Sequence, residues 1–167
     1  MAEALKAAMR EDPDVMFIGE IRDVETLDVV LHAAESGHMV VSTFHTATAI
    51  KTVQRLVAMF KPEDQGSARL RLAESLRGLL CQRLLPRKGT RGRVLCTEMM
   101  FNNYAVKECL RDASRLAGLN AVLERSNDQN MHSFDQELAA LVDSSESDRA
   151  AGDAGGTTAD LASEVEA

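Results

Sequence analysis

The run Val15-Met16-Phe17-Ile18, preceded by Glu11-Asp12-Pro13-Asp14 and followed by Gly19-Glu20, most limits what this chain can fold into. Four consecutive apolar residues behind turn-forming chemistry predict a short parallel strand covered on both faces. Val24, Leu27, Leu31 and Ala34 then recur at helical spacing, with Asp23 placed as an N-cap and Gly37 as a C-terminal stop. Met39 to Phe44 is a second apolar run that ends, like the first, on polar residues. The pattern is strand, helix, strand, and its crossover is expected to be right-handed. Glu20 and the Ser42-Thr43-Phe44-His45 end then fall on one rim of a parallel sheet. Ligands of open α/β sheets sit outside the carboxyl ends of the strands, and two polar strand ends on one rim suit a water activator and a phosphate sensor.

Composition narrows the classes. At 167 residues the chain can bury one proper core. The net charge is −7, but from Asp143 onward seven acids face Arg149 alone, so the remaining body is close to neutral at −1. That balance argues against a nucleic-acid-binding face as the main function, because phosphate backbones need a basic surface. Cys81, Cys96 and Cys109 are scattered, with no CxxC pair and no signal peptide ahead of them, which predicts a reduced, cytoplasmic protein without a metal site. No apolar run approaches the ~20 residues of a membrane helix, so no direct membrane insertion is expected.

Ile18-Gly19-Glu20-Ile21-Arg22-Asp23, followed by Gly37-His38 and Thr43-Phe44-His45-Thr46, resembles the secretion and type IV pilus ATPase family. The first block is similar to that family's Walker B motif, in which glycine precedes the catalytic glutamate; the second is similar to its His box. The resemblance covers about Ala4 to Val142. It implies a hexameric RecA-like motor ATPase that drives pilus assembly, pilus retraction or secretion, with ATP and Mg2+ as cofactors in the full-length enzyme. Expected partners are copies of the chain in a homo-hexamer or paralogous ATPase subunits, and an inner-membrane pilus platform protein. Its expected location is cytoplasmic, peripheral to the inner membrane through those partners. The predicted fold class is accordingly α/β: a partial RecA-like P-loop core over 1–100, a C-terminal helical subdomain over 101–143, and a disordered acidic tail over 144–167.

The remaining stretches refine this. Ala2 to Arg10 is helix-prone, which puts Met1 at the start of a helix that in the resembled family follows a phosphate loop, an acidic box and a separate domain. The phosphate loop G-x-x-x-x-G-K-[ST] is not found in these residues: the one Lys-Thr pair, Lys51-Thr52, follows Ile50 without a glycine nearby. The isolated chain is therefore expected neither to bind ATP tightly nor to hydrolyse it. Ile50, Val53, Val57 and Phe60 predict a helix capped by Thr46 or Thr48. Leu70, Ala73, Leu76 and Leu80 predict another, facing inward. Arg69 to Arg93 carries eight basic residues against Glu74, either a solvated face or a subunit interface. Gly89-Thr90-Arg91-Gly92 predicts a turn between Leu84-Leu85 and Val94 to Met99, a short hairpin extending the sheet's edge. Ala105 to Asp112 resembles the motif helix of the retraction branch, and Ser133 is placed as the N-cap of a last helix with Phe134, Leu138 and Leu141 inward.

Each candidate has a plainer alternative. Glu20 is either a polar strand terminus or the residue that orients and polarises the attacking water. Arg22 either pairs with Asp23 or Glu25 or reaches a phosphate. His45 is either a satisfied core histidine or, by the resemblance, a γ-phosphate sensor, with Thr43 beside it. Gly19 leaves room for magnesium and its waters. Gly37 and His38 support the His box, His38 by hydrogen bonding the loop; His32 and His132 are expected at the surface. Two other functions stay open: a fragment of a pilus-assembly or secretion ATPase, against which the lack of a four-cysteine module and the Ala105 to Asp112 helix speak, and a non-catalytic module that joins hexamers of a complete paralogue.

Overall fold

A computed structural model describes residues 1–86, 91–126 and 130–152, the stretch 144–152 by its backbone alone. Helix α1 (Ala2–Ala8) runs into a 3-10 turn at Met9–Glu11 and a left-handed Asp12. Strand β1 (Val15–Ile18), helix α2 (Val24–Glu35) and strand β2 (Met39–Ser42) follow. The strands pair in parallel, Val15 opposite Met39 and Ile18 opposite Ser42, so α2 is the crossover the sequence predicts. Asp23 accepts the Thr26 N–H at 2.7 Å as its N-cap. At the other end Gly37, with φ of 101°, donates to Ala34 O while His38 N donates to Ala33 O, the paired bonds of a Schellman stop.

Only one face of this sheet is covered, which corrects the expectation of a strand buried on both. Met16 and Ile18 pack with Ala2, Leu5, Val29 and Ala33 from α1 and α2, whereas Val15 and Phe17 are 59% and 73% exposed. Both covering helices lie on the same side, and among the described residues nothing covers the other.

Beyond the sheet come α3 (Ala49–Ala58) and α4 (Gln65–Ser75). Of the two threonines proposed to cap α3, Thr48 does so, accepting from Lys51 N. The inward set expected of α4 is partly wrong: it buries Ala68, Leu72 and Ala73, leaves Leu70 54% exposed, and ends at Ser75, so that Leu80 lies in a strand and is 51% exposed. The reason is a long-range cap. The Asn102 side-chain amide donates to both Ala73 O and Leu76 O at 2.8 Å, and Arg77 O accepts from Asn102 N. Those bonds stop the helix and start β3 (Gly78–Pro86), which pairs antiparallel with β4 (Arg93–Phe101).

The hairpin does not extend the first sheet. It is a separate two-stranded sheet, nine residues to each strand, and among the described residues neither strand pairs with a strand of the first sheet. Its inner face joins the largest core, in which Ala49 and Val53 of α3, Cys81, Cys96 and Met100 meet helices from the end of the chain. Gly89 and Thr90 of the predicted turn lie outside the described residues; Arg91 and Gly92 lead into β4.

Those last elements are α5 (Tyr104–Arg111, N-cap Asn103), a 3-10 stretch at Ala113–Gly118, α6 (Leu119–Arg125) and α7 (Phe134–Gly152). Ser133 and Gln136 cap α7 reciprocally, Gln136 N donating to Ser133 Oγ at 3.3 Å and Ser133 N to Gln136 Oε1 at 3.0 Å. Over part of the stretch expected to be disordered from Ser144, the backbone of α7 continues through Gly152; the remainder of that tail lies outside the described residues. His132 is not a surface residue either. It is half-buried, forms a bridge with Met99, and meets Thr97 Oγ1 at 3.0 Å.

Candidate functional site

The two parallel strands end side by side, and the loops that leave them are stitched together. The Thr43 hydroxyl donates to Gly19 O, and Ile21 N donates to Thr43 O at 3.4 Å. Ile21 anchors its loop by burying its side chain among Leu27, Leu31, Leu56, Val57 and Leu72. With the backbone fixed on both sides of it, Glu20 projects into the space between the loops. Its Oε2 accepts from Arg22 Nε at 2.7 Å and lies 2.6 Å from Arg22 Nη2, while its Oε1 stands 3.5 Å from His45 Nε2.

Gly19, Glu20, Arg22, Thr43 and His45 are thus brought together. Gly37 and His38 are not: they precede β2 and stand at the opposite end of it from His45. The His38 Nδ1 lies 3.2 Å from Ala33 O, so both residues shape the entry into the strand. Arg22 pairs with Glu20, and neither of the partners expected for it, Asp23 or Glu25, is the one it takes. That bond, ahead of every other influence, holds the Glu20 carboxyl below the usual range, with smaller help from the charges of Arg22, His45 and Arg55. Glu20 is an ionised carboxylate, with its side chain 26% exposed.

Glu20, Ile21, Arg22, Phe44, His45, Arg55 and Met59 line a recess of about 270 Å³. Arg55 is the member that sequence reasoning missed. It stands on α3 with its guanidinium 5.5 Å from the Phe44 ring centroid and donates to His45 O at 3.3 Å. Its signal is modest: a cation on the polar side of the helix that follows the His45 loop. Arg22 and Arg55 around one carboxylate give the recess the charge to accept an anion, with a base beside it. A Cβ at Gly19 would meet no atom within 4 Å, so open space borders the carboxylate there. Among the described residues, no three His, Cys, Asp or Glu side chains gather to hold a metal ion.

Of the basic stretch, Arg71 serves the chain internally, pairing with Asp28 at 2.5 Å and Glu35 at 2.6 Å on α2. Cys81, Cys96 and Cys109 are free and buried. Among the described residues no helix is long and apolar enough to cross a membrane.

A parallel β-α-β unit with its polar strand ends on one rim, backed by a hairpin and a helical cap, defines the RecA-like P-loop class. The family model described as "Type II/IV secretion system protein" matches residues 1–159, and the chain belongs to that family, which includes ATPases. It is 41% identical over 141 residues to a twitching motility protein of Neisseria gonorrhoeae, a match covering 84% of this chain and 37% of the relative. It is 38% identical over 141 residues to the type IV pilus retraction ATPase PilT of Pseudomonas aeruginosa, covering 84% of this chain and 40% of the relative. The crystal structure of the pilus retraction motor PilT with bound ADP superposes with a TM-score of 0.74 at 41% identity, over 84% of this chain and 38% of that one. The chain therefore spans about two fifths of the length of these relatives.

Proposed function

We propose that this chain is the hydrolysis part of a hexameric motor ATPase that couples ATP turnover to type IV pilus retraction, corresponding to the C-terminal part of the full motor. The observation that carries the reading is the meeting of Glu20 and His45, 3.5 Å apart, at the shared carboxyl rim of β1 and β2. Glu20 is the group that orients and polarises the attacking water, and His45 is the sensor of the terminal phosphate, with Arg22 and Thr43 completing its surroundings. Gly37 and His38 support that arrangement from the far end of β2. The open space at Gly19 fits magnesium and its waters beside Glu20; when bound, Mg2+ supplies charge neutralisation on the phosphate oxygens. Residues 1–100 are read as part of the ATPase core and 101–143 as a helical subdomain. The partners are copies of the same chain or paralogous ATPase subunits in a ring, and a pilus platform protein at the inner membrane. The names carried by relatives matched over 84% of the chain favour retraction over secretion.

Without a glycine-lysine phosphate loop in these residues, the chain alone is expected neither to bind ATP tightly nor to turn it over, because that loop supplies most phosphate contacts. Micromolar ATP binding seen by calorimetry overturns this. For the catalytic assignment, the chain is fused behind a family N-terminal half that carries the phosphate loop. Glu20→Gln keeps shape and hydrogen-bonding reach but loses the charge that polarises water, so turnover is expected to fall ~10²- to 10⁴-fold with nucleotide affinity and ring assembly unchanged. Turnover within a few-fold of the parent leaves Glu20 as a strand terminus only.

A further inference from the structure

The loop that carries His45 is held at one end by the strand rim described above. Its other end is held from the second sheet. Arg83 of β3 donates from Nη2 to Ala47 O at 3.3 Å, and Glu98 of β4 accepts the Ala49 N–H at 2.7 Å, at the first residue of α3. Glu98 is only 4% exposed. A carboxylate is buried at a cost unless its oxygens are satisfied, and the place it occupies, against the N-terminus of a ten-residue helix, is one where backbone N–H groups favour negative charge. Its other neighbours are the Cys81 thiol and, through that thiol, Thr52. Burial, and after it the Glu98 charge, pushes the thiol up to about 11.

Both gripping residues are tied to the corner where α7 begins. The Arg83 guanidinium lies 3.9 Å from the centroid of the Phe134 ring, which is itself 7% exposed. Glu98 sits on β4 between Thr97 and Met99. Met99 exchanges backbone bonds with His132 at 3.0 and 3.1 Å, and Thr97 Oγ1 meets His132 Nε2 at 3.0 Å. Successive strand side chains point to opposite faces, so three consecutive residues of β4 hold the α3 N-terminus on one side and the His132 corner on the other.

We infer that Arg83 and Glu98 are positioning residues that grip the exit of the His45 loop and link it, through the Phe134 ring and β4, to the capping corner of α7. The proposal rests on the reading of His45 as the phosphate sensor. On that reading, a shift of the sensor loop and a shift of the α7 corner are one event. The C-terminal helix, which carries no residue of the recess, thereby gains a path to the site. Neither residue touches the nucleotide recess, and neither is a catalytic group.

The test is native-state hydrogen exchange by NMR on the full 167-residue chain without nucleotide, so its outcome does not depend on turnover of any fusion. In the wild type under mild denaturant, the hydrogen-bonded amides of Ala49, Lys51 and Thr52 and those of His132 and Ser133 are expected to open as one unit, apart from α2; separate opening overturns the inference. Glu98→Gln and Arg83→Ala are each expected to speed exchange at Ala47 to Lys51 by roughly 10- to 100-fold, the scale of a lost hydrogen bond to a charged group, while the α2 amides of Leu27 to Leu31 stay as they were. Phe134→Leu keeps an apolar side chain but removes the ring face, and is expected to speed exchange at Ala49 and Lys51 and to move the His45 ring resonance, with that of His32 unmoved. If Phe134→Leu leaves those amides within twofold of wild type, or if all three variants speed α2 equally, there is no link between the corner and the loop. Loss of turnover in a Glu20→Gln fusion together with such a result would leave the catalytic assignment standing and this link refuted.

Discussion

Adding one methyl group at Gly37 and one at Gly66 is expected to change stability in opposite directions, although a Cβ at either position would meet no atom within 4 Å. With no packing gained or lost, the difference must come from the backbone. Gly37 holds φ at 101° as the residue past the end of α2, a conformation that costs an L side chain about 1–2 kcal/mol. Gly66 is the second residue of α4, where alanine removes freedom from the unfolded chain and gains about 0.4–1 kcal/mol. At roughly 2–4 °C per kcal/mol for a chain of this size, Gly37→Ala lowers Tm by about 2–8 °C and Gly66→Ala raises it by about 1–4 °C. Urea unfolding read by far-UV circular dichroism measures both, with the slope m unchanged if only the native backbone is affected. Gly37→Asn, which tolerates the left-handed region, should lose less than Gly37→Ala. If Gly37→Ala is neutral or stabilising, the Schellman stop ahead of β2 does not have the strain assigned to it, and the reasoning fails.

Ser133→Ala removes one half of the reciprocal cap of α7 and is expected to cost about 1 kcal/mol, read as a lower urea midpoint; Ser133→Asp should restore most of it. The Cys81 thiol, raised to about 11 from 9.0 by burial and by Glu98, is protonated in the fold at pH 8 and should react with a disulfide reagent only as fast as the chain opens. Its folded pKa lies above its unfolded one, so its contribution to stability is whole below about pH 9 and is lost as pH rises toward 11. In a pH series of unfolding midpoints, Cys81→Ser should flatten that alkaline decline.

Much of the fold was legible because its signals are local. The β1-α2-β2 unit follows from two apolar runs and a helical period between Asp23 and Gly37, and the caps at Thr48 and Ser133 each sit within a few residues of the helix they start. What misled was non-local. Leu76 and Leu80 continue a helical spacing, yet the chain turns to strand between them because Asn102, remote in sequence, claims the last carbonyls of α4. The separate second sheet has the same origin, since no local pattern tells a hairpin which neighbour to join. In the candidate site, Glu20 and His45 were legible as polar strand ends, and Arg22 as a nearby cation, but not the pairing of Arg22 with Glu20 two residues away. Glu98 did leave a sign: in Cys96-Thr97-Glu98-Met99-Met100 it shares the inward parity of Cys96 and Met100, an acid where a hydrophobe is expected.

The pairing of Arg22 with Glu20 sets a condition on the proposed chemistry. A carboxylate whose Oε2 is bonded to a guanidinium at 2.6–2.7 Å and whose proton affinity is lowered by that bond is a poorer water activator than a free one. The bond is nevertheless solvent-facing, with the Arg22 side chain 79% exposed, and an exposed pair of this kind is readily exchanged for a better partner. A phosphate group entering the recess offers Arg22 more negative charge than one carboxylate does and accepts the same fork of donors. If the proposed function holds, exchange of partners does two things at once: it places a cation where charge develops on the transferring phosphoryl group, and it returns to Glu20 the proton affinity that Arg22 had suppressed. His45 stands 3.5 Å from the other carboxylate oxygen and accepts through its carbonyl from Arg55, so it borders the same space the anion would enter. On the proposed reading of Glu20, the resting pair keeps the base masked until the anion that it must act beside has arrived.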